Sequence, residues 1–281
     1  SLRLTVDTSS YIYLGDAMQF DPKDKNILFA SSNARQGSFP YTYGLYIWKY
    51  DLSNLSSITV TGGNQYTQID EKGGWNDNGW NTTSDDSDWE SLHVTSKYVI
   101  MGSKRYHKGY DNSSYGRVDV FDHNLNYIKE LIPDTVLPSG NADRGILYLG
   151  GRQQDSGMTA SKLTANEKII AFAHIDYNQW SNGDSLSHRR YIVYVYDSDT
   201  LEFKYGIPRP YNTNFTSSEP VYNLACSSKY LVLGSRLLDV VHDNEGGAEV
   251  YDIDTGDHLI TVDMVNDKAT NAQFGSRVLS F

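Results

Sequence analysis

The side chains best suited to chemistry here are carboxylates and histidines. The chain has 281 residues, with 35 Asp and Glu, 24 Lys and Arg, and 7 His. Its densest acidic run is Asp85-Asp86-Ser87-Asp88. Crowded carboxylates must be offset, which makes Asp85, Asp86 and Asp88 the calcium candidates, with a solvated acidic loop as the competing reading. Asp252-Ile253-Asp254-Thr255-Gly256-Asp257 opens like a calcium loop but lacks the remaining ligands and the closing Glu; its place in the chain predicts a hairpin turn. A secreted carbohydrate-active hydrolase would need carboxylates converging on one cleft. Asp16, Glu90, Asp155 and Glu219 each precede a strand-like run and are the acids such an enzyme would use, although only their positions recommend them. His174 and His188 share a segment, and His107 stands apart, without zinc-type spacing. There is no G-x-S-x-G run and no Cys–His pairing to name. The single cysteine, Cys226, excludes a disulfide within the chain. The expectation is a non-enzymatic protein without a cofactor, and the hydrolase is the alternative.

A second set of side chains suits recognition. Four polar segments, 31–43, 103–115, 174–190 and 235–247, carry Tyr41, Tyr43, Tyr106, His107, Tyr110 and Tyr115, followed by Tyr177, Trp180, His188 and His242. Residues 62–90 form the longest stretch without a strand pattern and add Trp75, Trp80 and Trp89. Long connections inside a compact domain are functional or disordered, and the tryptophans favour order. Flat aromatic rings beside Asn, Asp and Arg suit sugar rings or polar protein surfaces. Packing of these rings against neighbouring loops is the competing reading.

A repeated framework must position these segments. Lys229-Tyr230-Leu231-Val232-Leu233-Gly234-Ser235 has a close relative in Lys97-Tyr98-Val99-Ile100-Met101-Gly102-Ser103, and weaker copies begin at Lys168 and Lys25. Each is a short apolar run of the kind found in strands buried on both faces. A second run follows each one and ends in Asp51, Asp122, Asp197 or Asp252, about 55–75 residues apart, as in repeat architectures. After each Asp comes a turn rich in Asp, Asn, Ser and Gly, then a further strand. One more strand-like piece precedes each apolar run. Four strands per unit, A to D, predict an all-β propeller of four-stranded antiparallel blades.

The full blades are expected at about 17–62, 89–133, 158–205 and 221–262. The closing blade, the fifth, joins 1–14 with 274–281 and removes the sheet edges that invite aggregation; a cut from a longer array is the alternative. In such blades the A–B and C–D turns share one end. Here they are short, and the B–C and D–A connections are long. The elaborated face is therefore where binding residues belong.

Composition narrows the partners. The formal charge of −11 and pI near 5.0 oppose nucleic acid and anionic membranes. No apolar run is long enough to span a bilayer, and the amino terminus shows no basic-then-apolar signal. An aromatic fraction of 13 %, with 22 Tyr, is common in secreted, cell-surface and virion proteins. Sequons at Asn54, Asn81, Asn112 and Asn214 matter only where the source glycosylates.

Phe274-Gly275 before a strand, the Tyr230–Ser235 run and Gly247-Ala248-Glu249-Val250-Tyr251-Asp252 together resemble the FG-GAP-type propeller repeat. The same wording resembles repeats in tail and other virion proteins of bacterial viruses and in bacterial surface proteins. The likeness covers nearly the whole chain through short, degenerate motifs. The integrin-type calcium loop is not reproduced in any blade. The resemblance implies a recognition or structural propeller that engages a receptor, a glycan or neighbouring protein subunits.

Overall fold

The computed structural model describes residues 11–36, 42–62, 91–107, 114–131, 163–177, 189–208, 223–235 and 246–262. Over these the protein is all-β, with four four-stranded antiparallel sheets whose strands pair in chain order. The first sheet contains β1 (Tyr11–Phe20), β2 (Ile27–Gln36), β3 (Thr42–Asp51) and β4 (Thr59–Gly62). The second contains β5 (Ser91–Val94), β6 (Val99–His107), β7 (Ser114–Phe121) and β8 (Tyr127–Glu130). The third contains β9 (Leu163–Ala165), β10 (Ile169–Tyr177), β11 (Arg189–Asp197) and β12 (Phe203–Pro208). The fourth contains β13 (Asn223–Cys226), β14 (Tyr230–Ser235), β15 (Gly247–Asp252) and β16 (His258–Val262). Their leading strands neighbour one another in sequence, β1 with β5, β5 with β9 and β9 with β13. This order is consistent with successive propeller blades.

Burial explains the apolar runs. In β6, Val99 and Met101 join Phe29 and Ile47 of the first sheet, whereas Ile100 between them joins Phe172 and Tyr194 of the third. In β10, Ile169, Ala171 and Ala173 face Leu231 and Leu233 of the fourth sheet, while Ile170 and Phe172 face the second. Strand periodicity of two thus fills a separate core at each of three sheet boundaries.

The closing aspartates shape one end of every sheet. The Oδ1 atoms of Asp51, Asp122, Asp197 and Asp252 each accept the N–H two residues on, from Ser53, Asn124, Asp199 and Asp254, at 2.8–2.9 Å. These Asx turns reverse the chain into the last strand. In the second, third and fourth sheets the ladder slips at the same place, after Val120, Val195 and Val250. There Leu125 and Leu201 adopt φ of 65° and 59°, a cost of the order of 1 kcal/mol, and bury their side chains between sheets. Gly256 takes the same turn position at φ 79°.

Two expectations are corrected. Tyr11–Leu14, assigned above to the closing blade, is the first half of β1 and pairs with Ser32–Arg35. A break in register between Leu14 and Met18 lets one strand continue where the sequence suggests two. In the first three sheets the B–C connections are also shorter than expected, because their hairpins stay paired well past the apolar runs, to Gln36↔Thr42, His107↔Ser114 and Tyr177↔Arg189, whereas in the fourth the pairing ends at Ser235↔Gly247 as expected. The other closing-blade segments, 1–10 and 274–281, and the short extra strand suggested near 145–150 lie outside the described residues.

Candidate functional site

The two ends of the sheets have different chemistry. At the A–B and C–D end, polar groups are consumed in tying one sheet to the next. His123 Nδ1 lies 2.9 Å from Asp21 Oδ2, and its Nε2 lies 2.9 Å from the Thr95 carbonyl. Lys49 donates to the His123 carbonyl at 2.9 Å, and Lys129 donates likewise to that of Leu201. Lys97 and Lys168 occupy one turn position in consecutive sheets and pair with Asp199 and Asp254 of the sheet that follows. Ser96 binds Glu167 through both its N–H and its hydroxyl.

The leading strands are tied as well. The Gln19 side chain makes two hydrogen bonds with the Val94 backbone, at 2.8 and 3.2 Å. His93 Nε2 reaches the Leu163 carbonyl at 3.0 Å, and the Thr164 hydroxyl lies 3.4 Å from Cys226 Sγ. Enclosure among apolar strands pushes His93 down to about 4, with the bond to Leu163 opposing the shift. Burial pushes the Cys226 thiol up to about 11 despite the Thr164 hydroxyl, so it is a structural group at neutral pH. Burial, and then the charges of Asp252 and Asp254, push Tyr205 up to about 12. The 252–257 segment is the expected hairpin turn. Asp252 Oδ1 accepts from the N–H groups of Asp254 and Thr255, and Asp254 is paired with Lys168.

The opposite end is built from projecting hairpins. Among the described residues the A strand β5 pairs with β6 up to Gly102. Beyond it β6 and β7 stay paired to His107↔Ser114, with an irregularity between Ser103 and Tyr106. Five further residues of β6 carry this pairing about 15 Å past Gly102. Tyr106 stands directly opposite Tyr115, and His107 opposite Ser114. In the first sheet Tyr43 stands opposite Arg35, which β1 also pairs through Tyr11, and in the third sheet Tyr177 stands opposite Arg189. Five of the sequence-derived recognition residues, Tyr43, Tyr106, His107, Tyr115 and Tyr177, therefore sit at the tips of three parallel-built hairpins.

Tyr41, Trp75, Trp80, Trp89, Tyr110, Trp180, His188 and His242 lie outside the described residues. So do Asp85, Asp86 and Asp88, and, of the hydrolase acids, Glu90, Asp155 and Glu219. Asp16 falls in the irregular part of β1. Among the described residues no three His, Cys, Asp or Glu side chains cluster as a metal site. Sequence reading missed the cross-strand partners Arg35 and Arg189. Both were visible as basic residues within the polar segments 31–43 and 174–190, but pairing them requires the hairpin register. No protein-family model and no curated protein matches the chain.

Proposed function

We propose that this chain is a non-enzymatic recognition propeller of a virion or other extracellular surface. It has five blades, the fifth assembled from the two ends of the chain. It binds through the end bearing the B–C and D–A connections. A glycan is the ligand class this chemistry favours, ahead of a protein receptor or a neighbouring subunit. The observation that supports this reading is the set of cross-strand pairs at the hairpin tips, Tyr43–Arg35, Tyr106–Tyr115 and Tyr177–Arg189. Each pair sets an aromatic residue at the register position opposite a second aromatic residue or an arginine. Rings offer stacking surfaces and guanidinium groups offer fixed donors, the combination a pyranose needs. The contrast between the ends adds to it, since the short-turn end spends its polar groups on ties between sheets.

The test is a glycan and cell-envelope panel read by tryptophan fluorescence. Saturable binding that is lost in a folded Trp75/Trp80/Trp89→Ala variant, and weakened at least tenfold in Tyr106→Ala/Tyr115→Ala, is the expected result. Absence of binding, with the protein instead co-purifying in fixed ratio with a larger particle, overturns adhesion in favour of assembly. Turnover of a bound glycan that stops in Asp16→Asn overturns the non-enzymatic reading.

A further inference from the structure

Charge is divided unevenly between the two ends of the sheets. The chain as a whole carries a formal charge of −11. At the turn end lysines and carboxylates pair across sheets, as in Lys97–Asp199 and Lys168–Asp254. The hairpin end is basic. In its described strands, residues 32–36 and 42–46 bear Arg35, residues 103–107 and 114–117 bear Lys104, Arg105 and Arg117, and residues 174–177 and 189–192 bear Arg189 and Arg190. Among these described residues Asp176 is the one acid, and register sets it opposite Arg190. The strands β2, β6 and β10 run between the two ends over 10, 9 and 9 residues, roughly 30 Å. Screening at physiological ionic strength acts over about 8 Å. The turn-end carboxylates are therefore scarcely felt at the hairpins, and a small ligand there meets the hairpins' own charge.

Within this basic end the placement of Arg35 stands out. Pairing of β2 with β3 is unbroken from Ile27 to Gln36. Alternation thus puts Arg35 on the sheet face that Phe29 and Ile47 give to the core shared with the second sheet. The register positions on either side of Arg35 are Tyr11 in β1 and Tyr43 in β3. On the second sheet, alternation along β7 puts Tyr115 and Arg117 on the face of Phe121, which belongs to the same core. Arg117 is followed on that face by Asp119, which stands opposite Glu130, so its charge is offset there. The positions opposite Arg35 carry tyrosines instead of acids.

We infer that the hairpins of the first and second sheets bind an acidic saccharide, one whose sugar ring carries a carboxylate, and that Arg35 selects the acid. The inference rests on the glycan reading above and narrows it. A guanidinium matches a carboxylate through two parallel N–H···O bonds. Tyrosines at the adjoining register positions supply the ring faces that a sugar bearing that carboxylate needs.

Calorimetric titration of the full chain tests this, using tetrasaccharides of galacturonic, glucuronic and mannuronic acid, each beside its carboxyl-reduced form. We expect one acidic tetrasaccharide to bind at least about tenfold more tightly than its reduced form, as for a charge-assisted pair. Arg35→Gln should bring the two affinities together, and Arg35→Lys should restore part of the difference. Arg190→Gln, in a row that has its own acid, should leave it unchanged. A panel in which only neutral saccharides bind, or in which each acid and its reduced form bind alike, overturns this inference and leaves glycan recognition standing. A panel in which no saccharide binds overturns both. Equal binding of a sulfated tetrasaccharide, undiminished in Arg35→Gln, also overturns it, since the hairpins then attract anions without selecting a carboxylate. The comparison in the unaltered protein decides the matter even where Arg35→Gln fails to fold.

Discussion

The ring of Tyr205 fills the space that a side chain at Gly256 would need, since a Cβ at that position would stand 2.8 Å from Tyr205 Cδ2. The same turn position holds Leu125 in the second sheet and Leu201 in the third, and in all three turns its N–H returns to the carbonyl of the closing aspartate. Two sheet boundaries are thus filled by a leucine reaching back from the turn. The third boundary is filled from the other side by Tyr205, whose hydroxyl donates to the Ile253 carbonyl at 2.9 Å. Gly256→Ala should destabilise the protein by about 2 kcal/mol through overpacking and left-handed backbone strain. Urea denaturation checks this. In a Tyr205→Leu background the same change should cost less, with a coupling above about 0.5 kcal/mol. Strict additivity would show that the ring is not what excludes the side chain.

His93 makes stability depend on pH near neutrality. Its value in the folded protein is lowered to about 4, below the ordinary 6.5. The folded state therefore binds fewer protons than the unfolded chain between those values. Stability is fully present above about 6.5 and is lost as pH falls towards 4. Because the ring keeps some contact with solvent, the loss is discounted to the order of 1–2 kcal/mol. Guanidinium midpoints at pH 7 and pH 5 should differ in the parent and converge in His93→Gln, which keeps a donor for Leu163 without a titrating ring.

A separate acid window belongs to the turn aspartates. Side-chain and backbone hydrogen bonds from Ser53 hold Asp51 below the usual carboxylate range. For Asp122 burial pulls upward, but bonds from Asn126 and Asn124 prevail and the net shift is down. Backbone bonds from Thr255 and Asp254 lower Asp252. Groups with depressed folded values contribute stability above the unfolded value, near 3.8, and lose it as pH falls through the folded ones. The triple change Asp51→Asn, Asp122→Asn and Asp252→Asn keeps an acceptor oxygen in each turn. It should flatten the stability profile below pH 4 and leave the His93 step untouched. A profile unchanged below pH 4 would mean that the acid transition is set elsewhere.

The framework was legible wherever one residue type satisfied a local need. Runs such as Val99–Met101 announce strands buried on both faces, and the four closing aspartates announce their turns. The hairpin extensions were hidden because Ser103–His107 has no apolar alternation. Tyr11–Leu14 alternates as any strand would, and nothing local says that it runs on through Gly15 and Asp16. The recognition residues were visible by type, but their partners were not. The Tyr106–Tyr115 pairing depends on the irregularity after Ser103, which shifts register and leaves no sequence mark. Contacts such as His93 to Leu163 depend on how separate sheets stack, which is non-local by nature.

Ion pairs and apolar cores both bridge the second and third sheets, and magnitudes decide between them. Lys97 and Asp199 pair across that boundary with both side chains more than half exposed, so screening and side-chain entropy leave the pair worth under about 1 kcal/mol. Ile100 is fully buried at the same boundary among Val118, Phe172 and Tyr194, where truncation to Ala costs about 2–5 kcal/mol. We therefore expect Asp199→Ala to shift the urea midpoint little, and less again at high salt, while Ile100→Ala removes a large share of the total stability. Both are read in the same denaturation series. The opposite ranking would mean that the sheets are held together from their turn ends, with the apolar layers playing the smaller part.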